Sequence, residues 1–160
     1  MLTWAHVDRH LRNSRNYWLA TVRDDGRPHA MPVWGVWDGR ALWFGTSPTS
    51  VKGRNLRRDP RAVVHLESGD DVVILEGAVA GAWSDDVLAA YAVKYATDAA
   101  ELPLERQPDG GGMLRLQPVT VQAWLEGEFL PSGIRFRLRD DGTPVADGRP
   151  SMIAELTAEA

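Results

Sequence analysis

Tyr17-Trp18-Leu19-Ala20-Thr21-Val22, Asp24-Asp25-Gly26-Arg27-Pro28 and His29-Ala30-Met31-Pro32-Val33-Trp34-Gly35-Val36 follow one another with no helical periodicity between them. The first run is rich in β-branched and aromatic residues, and the Asp-Asp-Gly that closes it is a hairpin-type turn. The third run is then the returning strand. Pro32 has no amide to give to a ladder, so its strand is predicted at an edge or a bulge. A second turn at Asp38-Gly39 leads to a third strand at Ala41-Leu42-Trp43-Phe44. Successive strands joined by turns this short have to run antiparallel.

The same pattern continues outward. Ala62-Val63-Val64-His65-Leu66 and Val72-Val73-Ile74-Leu75-Glu76-Gly77-Ala78-Val79 are strands parted by Ser68-Gly69-Asp70-Asp71, and strands at 113–126 and 134–138 complete the sheet. Helices are few. Trp4, Val7 and Leu11 mark one face of a helix over 3–13, and Ser84 with Asp85 and Asp86 opens another over 84–96. Residues 97–112 read as a loop, with Gly110-Gly111-Gly112 a flexible turn. Short turn-linked strands with peripheral helices predict a mainly β fold, a six-stranded antiparallel split barrel. The domain is taken as 1–138. Residues 139–160 form a polar tail, rich in Gly, Pro and Asp until Met152-Ile153, that is either mobile or laid over a partner subunit.

Between the third and fourth strands lies Ser50-Val51-Lys52-Gly53-Arg54-Asn55-Leu56-Arg57-Arg58-Asp59-Pro60-Arg61. Lys52, Arg54, Arg57, Arg58 and Arg61 against Asp59 give the block +4, which leaves −8 on the remainder of a chain whose net charge is −4. A positive island in an acidic protein calls for an anionic ligand. Ser47-Pro48 reads as an N-cap followed by proline at the first helical position, which puts Lys52 about one turn inside the helix, and Pro60 ends the helix at Asp59. Helix amides and Lys52 then point at one place, the makings of a phosphate site. Lys52 is one of only two lysines among 18 basic residues, the other being Lys94.

Composition narrows the class. A chain of 160 residues is one domain of ordinary size and buries about two-thirds of its unfolded surface. No cysteine is present, so thiolate metal sites, thiol nucleophiles and disulfides are excluded. Met1-Leu2-Thr3-Trp4-Ala5-His6 has no signal-peptide pattern, and no apolar run reaches spanning length. A cytoplasmic protein without a membrane partner is expected. Net acidity argues against a nucleic-acid partner, because that role needs broad phosphate neutralisation.

Rival chemistries find little support. His6 and His10 have the four-residue spacing of zinc ligands, but no third ligand is evident nearby and the metalloprotease Glu is missing. They are read as surface histidines, and no metal is expected. His29 and His65 alternate with apolar neighbours as strand-face residues. Trp18, Trp34, Trp43 and Trp124, four of seven tryptophans, are read as core or interface, with Trp34 and Trp37 the candidates for stacking on a ring. Tyr91 and Tyr95 are read as packing. Neither a Ser-His-Asp order nor a Gly-x-Ser-x-Gly elbow occurs, so hydrolase chemistry is unsupported. No side chain stands out as catalytic.

The order strand 17–23, turn 24–28, strand 29–37, strand 42–46 and then Ser50-x-Lys52-Gly53-x-Asn55-Leu56 before Asp59-Pro60 resembles the pyridoxamine 5′-phosphate oxidase-like superfamily of flavin- and deazaflavin-binding split barrels. The likeness is good over 14–80 and looser over 113–138. It implies that His29, Met31, Pro32, Val33 and Trp34 line a cofactor ring, with backbone polar groups at its pyrimidine edge. Thr46 and Ser47 would touch the ribityl or phosphate region. Ser50 and Lys52 match phosphate ligands, with Arg54 and Arg57 as auxiliaries. Ser50-x-Lys52-Gly53 is closer to the FMN-using oxidases, whereas Arg54 through Arg61 is similar to the actinobacterial deazaflavin group, so the implied cofactor is coenzyme F420 or FMN. The substrate-binding residues of the true oxidase are not recognisable in the C-terminal strands. The resemblance further implies a homodimer whose cofactors lie between subunits. Its activity would be hydride transfer to or from an unidentified small organic substrate; the rival is a non-enzymatic protein that binds or sequesters the same cofactor.

Overall fold

The computed structural model describes residues 1–102 and 104–150. The last part of the predicted tail, from Ser151 through Met152-Ile153 to Ala160, lies outside the described residues. The chain begins with helix α1 (Trp4–Asn13), capped by Thr3, and enters β1 (Tyr17–Val22) and β2 (Pro28–Val33). Between these strands Gly26 takes φ +84°, which the hairpin turn requires. Then come β3 (Val36–Trp37), β4 (Leu42–Phe44), α2 (Val51–Arg58), β5 (Arg61–His65), β6 (Asp71–Ala82) and α3 (Asp85–Lys94). After a loop come β7 (Met113–Leu125), a short α4 (Phe129–Ser132), β8 (Ile134–Leu138) and β9 (Pro144–Ala146).

All pairings are antiparallel, in the order β2-β1-β5-β6-β7-β4-β3, with β8 on β7 and β9 on β8. The architecture is the expected split barrel. Among the described residues it has nine strands, against the seven strand segments read from the sequence and the six assigned to the barrel. One reason is a break at Gly35, which separates β2 from β3. There a Cβ would come within 2.9 Å of the Trp43 carbonyl oxygen, so the chain turns a corner where only glycine fits. Another is β9, formed by residues of the C-terminal segment.

The split itself comes from β7. One side of this 13-residue strand pairs with β6 throughout. The other side pairs with β4 at Leu114–Leu116 and with β8 at Thr120–Ala123. Strands of this length cannot stay flat. The β6–β7 register slips beside Gly77, whose backbone lies so close to Gln117 that a Cβ would be 2.1 Å from its carbonyl oxygen. Pro118, with no amide to give, falls at the same irregularity.

Pro32 is on an edge strand, since among the described residues β2 pairs only with β1. Period-two burial along β1 sends Tyr17, Leu19 and Thr21 inward, where they meet Leu42, Phe44, Val64, Leu75 and Leu116. The buried face of α1, Val7 and Leu11, joins this core, and Trp37 Nε1 donates to Asp8 Oδ1 at 2.8 Å. Among the described residues no helix is long and apolar enough to cross a membrane.

Candidate functional site

The basic helix begins three residues later than Ser47-Pro48 implies. Ser50 is the N-cap of α2, its Oγ accepting from the Gly53 amide at 3.1 Å, and Asp59 is the C-cap. Ser47 and Pro48 instead form a turn that packs under the helix. The Ser50 amide and Ser50 Oγ both donate to the Ser47 carbonyl, at 3.1 and 2.7 Å, and Thr46 Oγ1 lies 3.0 Å from Ser50 Oγ. Pro48 does not begin the helix because this preceding turn consumes it. Lys52 is consequently the second helical residue rather than one turn inside. With Gly53 and Arg54 amides held by Ser50, the amides of Val51 and Lys52 are the free donors of the first turn, as helix geometry dictates.

The helix is pinned to the sheet from its buried face. Asn55 Nδ2 donates to Thr21 Oγ1 at 3.0 Å, and Leu56 joins the core. Arg58 donates to the Val22 carbonyl from the exposed side. Two predicted auxiliaries point back into their own turn: Arg54 donates to the Thr49 carbonyl and Arg57 Nη2 to Pro48 O at 3.3 Å. Their charge stays at the N-terminal end of α2, but their guanidinium groups brace the loop.

A cavity of about 880 Å³ opens beside this turn, within the size range of small-molecule sites. Thr46, Ser47, Gly53 and Arg57 line it from the helix side, Val79, Gly81 and Leu114 from the sheet, and Leu104, Glu105 and Asp109 from the 97–112 loop. Ser50, Lys52 and Arg54 are not in its lining, nor is any residue of β2.

The loop wall went unrecognised in the sequence. Its three glycines signal a flexible turn, whereas here they let the loop fold back on itself. Gly112 takes φ +126°, and a Cβ there would lie 2.1 Å from the Glu105 carbonyl oxygen, while the Gln107 amide donates to Gly111 O at 2.8 Å.

The residues expected along a cofactor ring lie on and just after β2. Met31 and Trp34 are exposed, at 44% and 40%, Pro32 is exposed, and Val33 turns its side chain into the core. His29 is the link to α2. Loss of solvent, then the charges of Arg23 and Lys52, push its imidazole below the ordinary histidine range. Its Nδ1 is buried with no hydrogen-bond partner among the described residues.

Helix α3 holds the corner next to this strand. Lys94 Nζ donates to Gly35 O and to Tyr17 OH, both at 2.8 Å, and the Gly35 amide donates to Tyr95 OH at 2.7 Å. Trp34 stacks on Tyr95 at 4.3 Å between centroids, with the Arg15 guanidinium 5.4 Å from the Trp34 ring centre. Burial lowers Lys94 to about 8. Tyr95 therefore positions the strand as well as packing, and Lys94 carries a role that its sequence position did not show.

One further expectation is corrected: His6 and His10 do have a third neighbour of ligand type. Asp71 lies against both, with Oδ1 2.8 Å from His6 Nε2 and Oδ2 3.2 Å from His10 Nε2. It is 65 positions from His6 in sequence, too far for a spacing rule to find.

The family model described as pyridoxamine 5′-phosphate oxidase matches residues 3–125. The chain belongs to this family. Among solved structures, a conserved hypothetical protein from Mycobacterium tuberculosis is 28% identical with a TM-score of 0.64, the match covering 78% of this chain and 86% of that one. Two others share the fold at lower identity. A pyridoxamine 5′-phosphate oxidase-related, FMN-binding protein from Nostoc punctiforme is 18% identical with a TM-score of 0.58, covering 91% of this chain and 92% of that one. A protein described as an F420 reductase is 21% identical with a TM-score of 0.53, covering 71% and 94%. The fold is also that of a heme-binding protein from Mycobacterium smegmatis. Family members and neighbours thus carry oxidoreductases, flavin binders and heme binders on one scaffold.

Proposed function

We propose that this protein is an oxidoreductase that moves a hydride between a flavin-type cofactor, coenzyme F420 or FMN, and a small organic substrate. The observation that carries the reading is the anion-ready point between α2 and β2. The free amides of Val51 and Lys52 and the Lys52 ammonium belong to the helix start, and the buried, unpartnered Nδ1 of His29 lies within reach of the same positive field. A phosphate held there satisfies His29 and offsets the mutual repulsion of Arg23, Lys52 and a protonated imidazole.

The donor set fits such a group. Lys52 supplies a point charge, the first-turn amides fixed donors, and Thr46 a hydroxyl. Ser50 shapes the turn as cap, and Ser47, Arg54 and Arg57 hold it closed. The ring belongs over β2. As an edge strand among the described residues, β2 keeps backbone groups free of a second ladder to meet the pyrimidine edge of a flavin, with Pro28 and Pro32 able to offer carbonyls but no N–H. His29, Met31, Pro32 and Trp34 flank these groups, with Val33 contributing backbone alone. The bound cofactor would supply the hydride chemistry at its own ring, and the protein would orient it and exclude water.

The cavity beside α2 bears on the choice of cofactor. Glu105 and Asp109 in its lining disfavour the acidic tail of F420 on that side, with Arg57 opposite them. An apolar groove on the outer face of the sheet, formed by Ala20, Val22, Pro28, Val63, Ala78 and Val119, suits a homodimer that completes the site from a second chain.

The rival reading, a protein that binds the cofactor without turning it over, uses the same residues and is separated by kinetics. FMN and F420 are titrated by fluorescence into the wild type, Lys52→Ala and the exposed control Val93→Ala. Loss of the charge-assisted contact should weaken binding by about 10- to 100-fold in Lys52→Ala only. Equal affinity in wild type and Lys52→Ala removes the basis of the reading. Reduced cofactor that binds but is not reoxidised by any of a panel of quinones and enones favours sequestration.

A further inference from the structure

The second chemically loaded cluster lies far from the α2 turn. Along β6, Val79 in the cavity wall lies eight positions beyond Asp71, roughly 26 Å of strand. At the Asp71 end, α1 places His6 and His10 one turn apart, their rings 4.3 Å between centroids. Both Nε2 atoms converge on the single carboxylate of Asp71, at 2.8 and 3.2 Å, and the three ligand atoms all lie within 4.8 Å of one another.

We propose that His6, His10 and Asp71 form a binding site for a divalent transition-metal ion of the zinc class, with water in the fourth position. Two imidazoles and one carboxylate are a borderline donor set, suited to Zn²⁺ or Co²⁺ and poor for Ca²⁺ or Mg²⁺. The geometry is close to what such an ion needs. A tetrahedral ion with bonds of about 2.0–2.1 Å spreads its donors roughly 3.3 Å apart, so ligand atoms that now lie within 4.8 Å of one another draw together around it. The side chains are 17%, 34% and 26% exposed, which gives an ion an entry path and leaves room for water.

Arg9 adds a feature that a plain ion-pair cluster would not predict. Its Nη2 lies 3.4 Å from Nδ1 of His6. When His6 Nε2 takes a metal, Nδ1 carries the ring proton and rejects a guanidinium donor, so exposed Arg9 has to swing away. Arg9 therefore opposes metal binding, although it touches no ligand atom.

The ion would tie α1 to the first residue of β6, 65 positions from His6, and clamp the helix whose Val7 and Leu11 fill the core. Neither the cavity beside α2 nor the outer groove includes these residues. The site is thus a staple independent of the cofactor.

The test uses the full chain, freed of any purification tag and stripped with a chelator. Zn²⁺ is titrated by calorimetry and Co²⁺ by visible absorption. One ion per chain is expected, with Co²⁺ bands of tetrahedral intensity and a Tm that climbs with Zn²⁺ concentration. Asp71→Asn and His10→Ala should each weaken Zn²⁺ binding by at least about 10-fold, and Arg9→Ala should strengthen it. Circular dichroism without metal confirms that each variant is folded, and Arg9→Ala, at an exposed position, gives a reading even if a ligand variant is not. Absence of saturable Zn²⁺ binding to the wild type overturns the proposal. So does affinity unchanged across all three variants.

Discussion

Asn55 Nδ2 donates to Thr21 Oγ1 at 3.0 Å in a place where both side chains are almost fully buried, 5% and 3% exposed. Together with Leu56 in the core and Arg58 on the Val22 carbonyl, this bond registers the inner face of α2 on β1, and with it the position of Lys52 relative to His29. Asn55→Ala strands the Thr21 hydroxyl in the core and should cost about 1–3 kcal/mol, read from urea denaturation. Thr21→Val in the same chain should recover part of the loss, because an apolar pair leaves no orphaned group. A double variant as unstable as the single would mean that packing, not the hydrogen bond, sets the register.

Gly53 touches the turn below it. A Cβ there would lie 2.3 Å from the Ser47 carbonyl oxygen and 3.1 Å from Pro48 backbone atoms. Gly53→Ala gains up to about 1 kcal/mol of helix propensity. Overpacking against rigid backbone costs about 1–3 kcal/mol, so the variant should be less stable and should bind FMN more weakly. Full stability with full affinity would show that the turn is free to move.

Lys94 sets a pH dependence. Its folded-state value of about 8 lies below its unfolded 10.5, so between those values the unfolded chain binds more protons. Below pH 8 the cost of burying the charge is fully felt, and it disappears as pH rises toward 10.5. Stability should therefore climb between pH 8 and 10. Above about pH 10 the trend reverses, because burial raises Tyr17 and lifts Tyr91 to about 12, and the unfolded chain then releases protons first. Urea midpoints measured from pH 7 to 11 follow this curve, and Lys94→Met should flatten its rising limb. A rise that persists in Lys94→Met assigns the effect to another group.

His29 should report an anion directly. Phosphate near its unpartnered Nδ1 favours the protonated ring, so its depressed pKa should move up when inorganic phosphate or FMN binds. The imidazole C–H resonances, followed by NMR titration, give the shift. Identical His29 curves with and without ligand would move the anion site elsewhere.

For the dimer, light scattering at micromolar concentration should give twice the chain mass. Val119→Arg, at a position 54% exposed in the outer groove, should shift the protein to monomer and weaken cofactor binding together. A monomeric wild type counts against both the dimer and a site shared between chains.

What the sequence by itself determined was everything encoded within a few residues. Alternation and the Asp24-Asp25-Gly26 turn placed β1 and β2, Pro32 placed β2 at an edge, Ser84 capped α3, and Pro60 ended α2 after Arg58. These signals are local because hydrogen-bonded turns, caps and proline sterics act over one to four positions. The family resemblance rested on the same short spans. Even so, local grammar misplaced the start of α2. Ser47-Pro48 and Ser50 are both credible starts, and the choice fell to Asn55 on Thr21 and Leu56 in the core, contacts with distant strands. Only the tertiary structure decided the rest. Gly35 broke the long second strand because Trp43 crosses behind it, and Lys94 and Tyr95 came to that corner from some 60 positions away. The 97–112 loop became a cavity wall, and Asp71 arrived between His6 and His10. Each of these depends on how a twisted antiparallel sheet curls to cover its apolar face. That curl is set by the summed packing of many side chains, and no single stretch of sequence carries it.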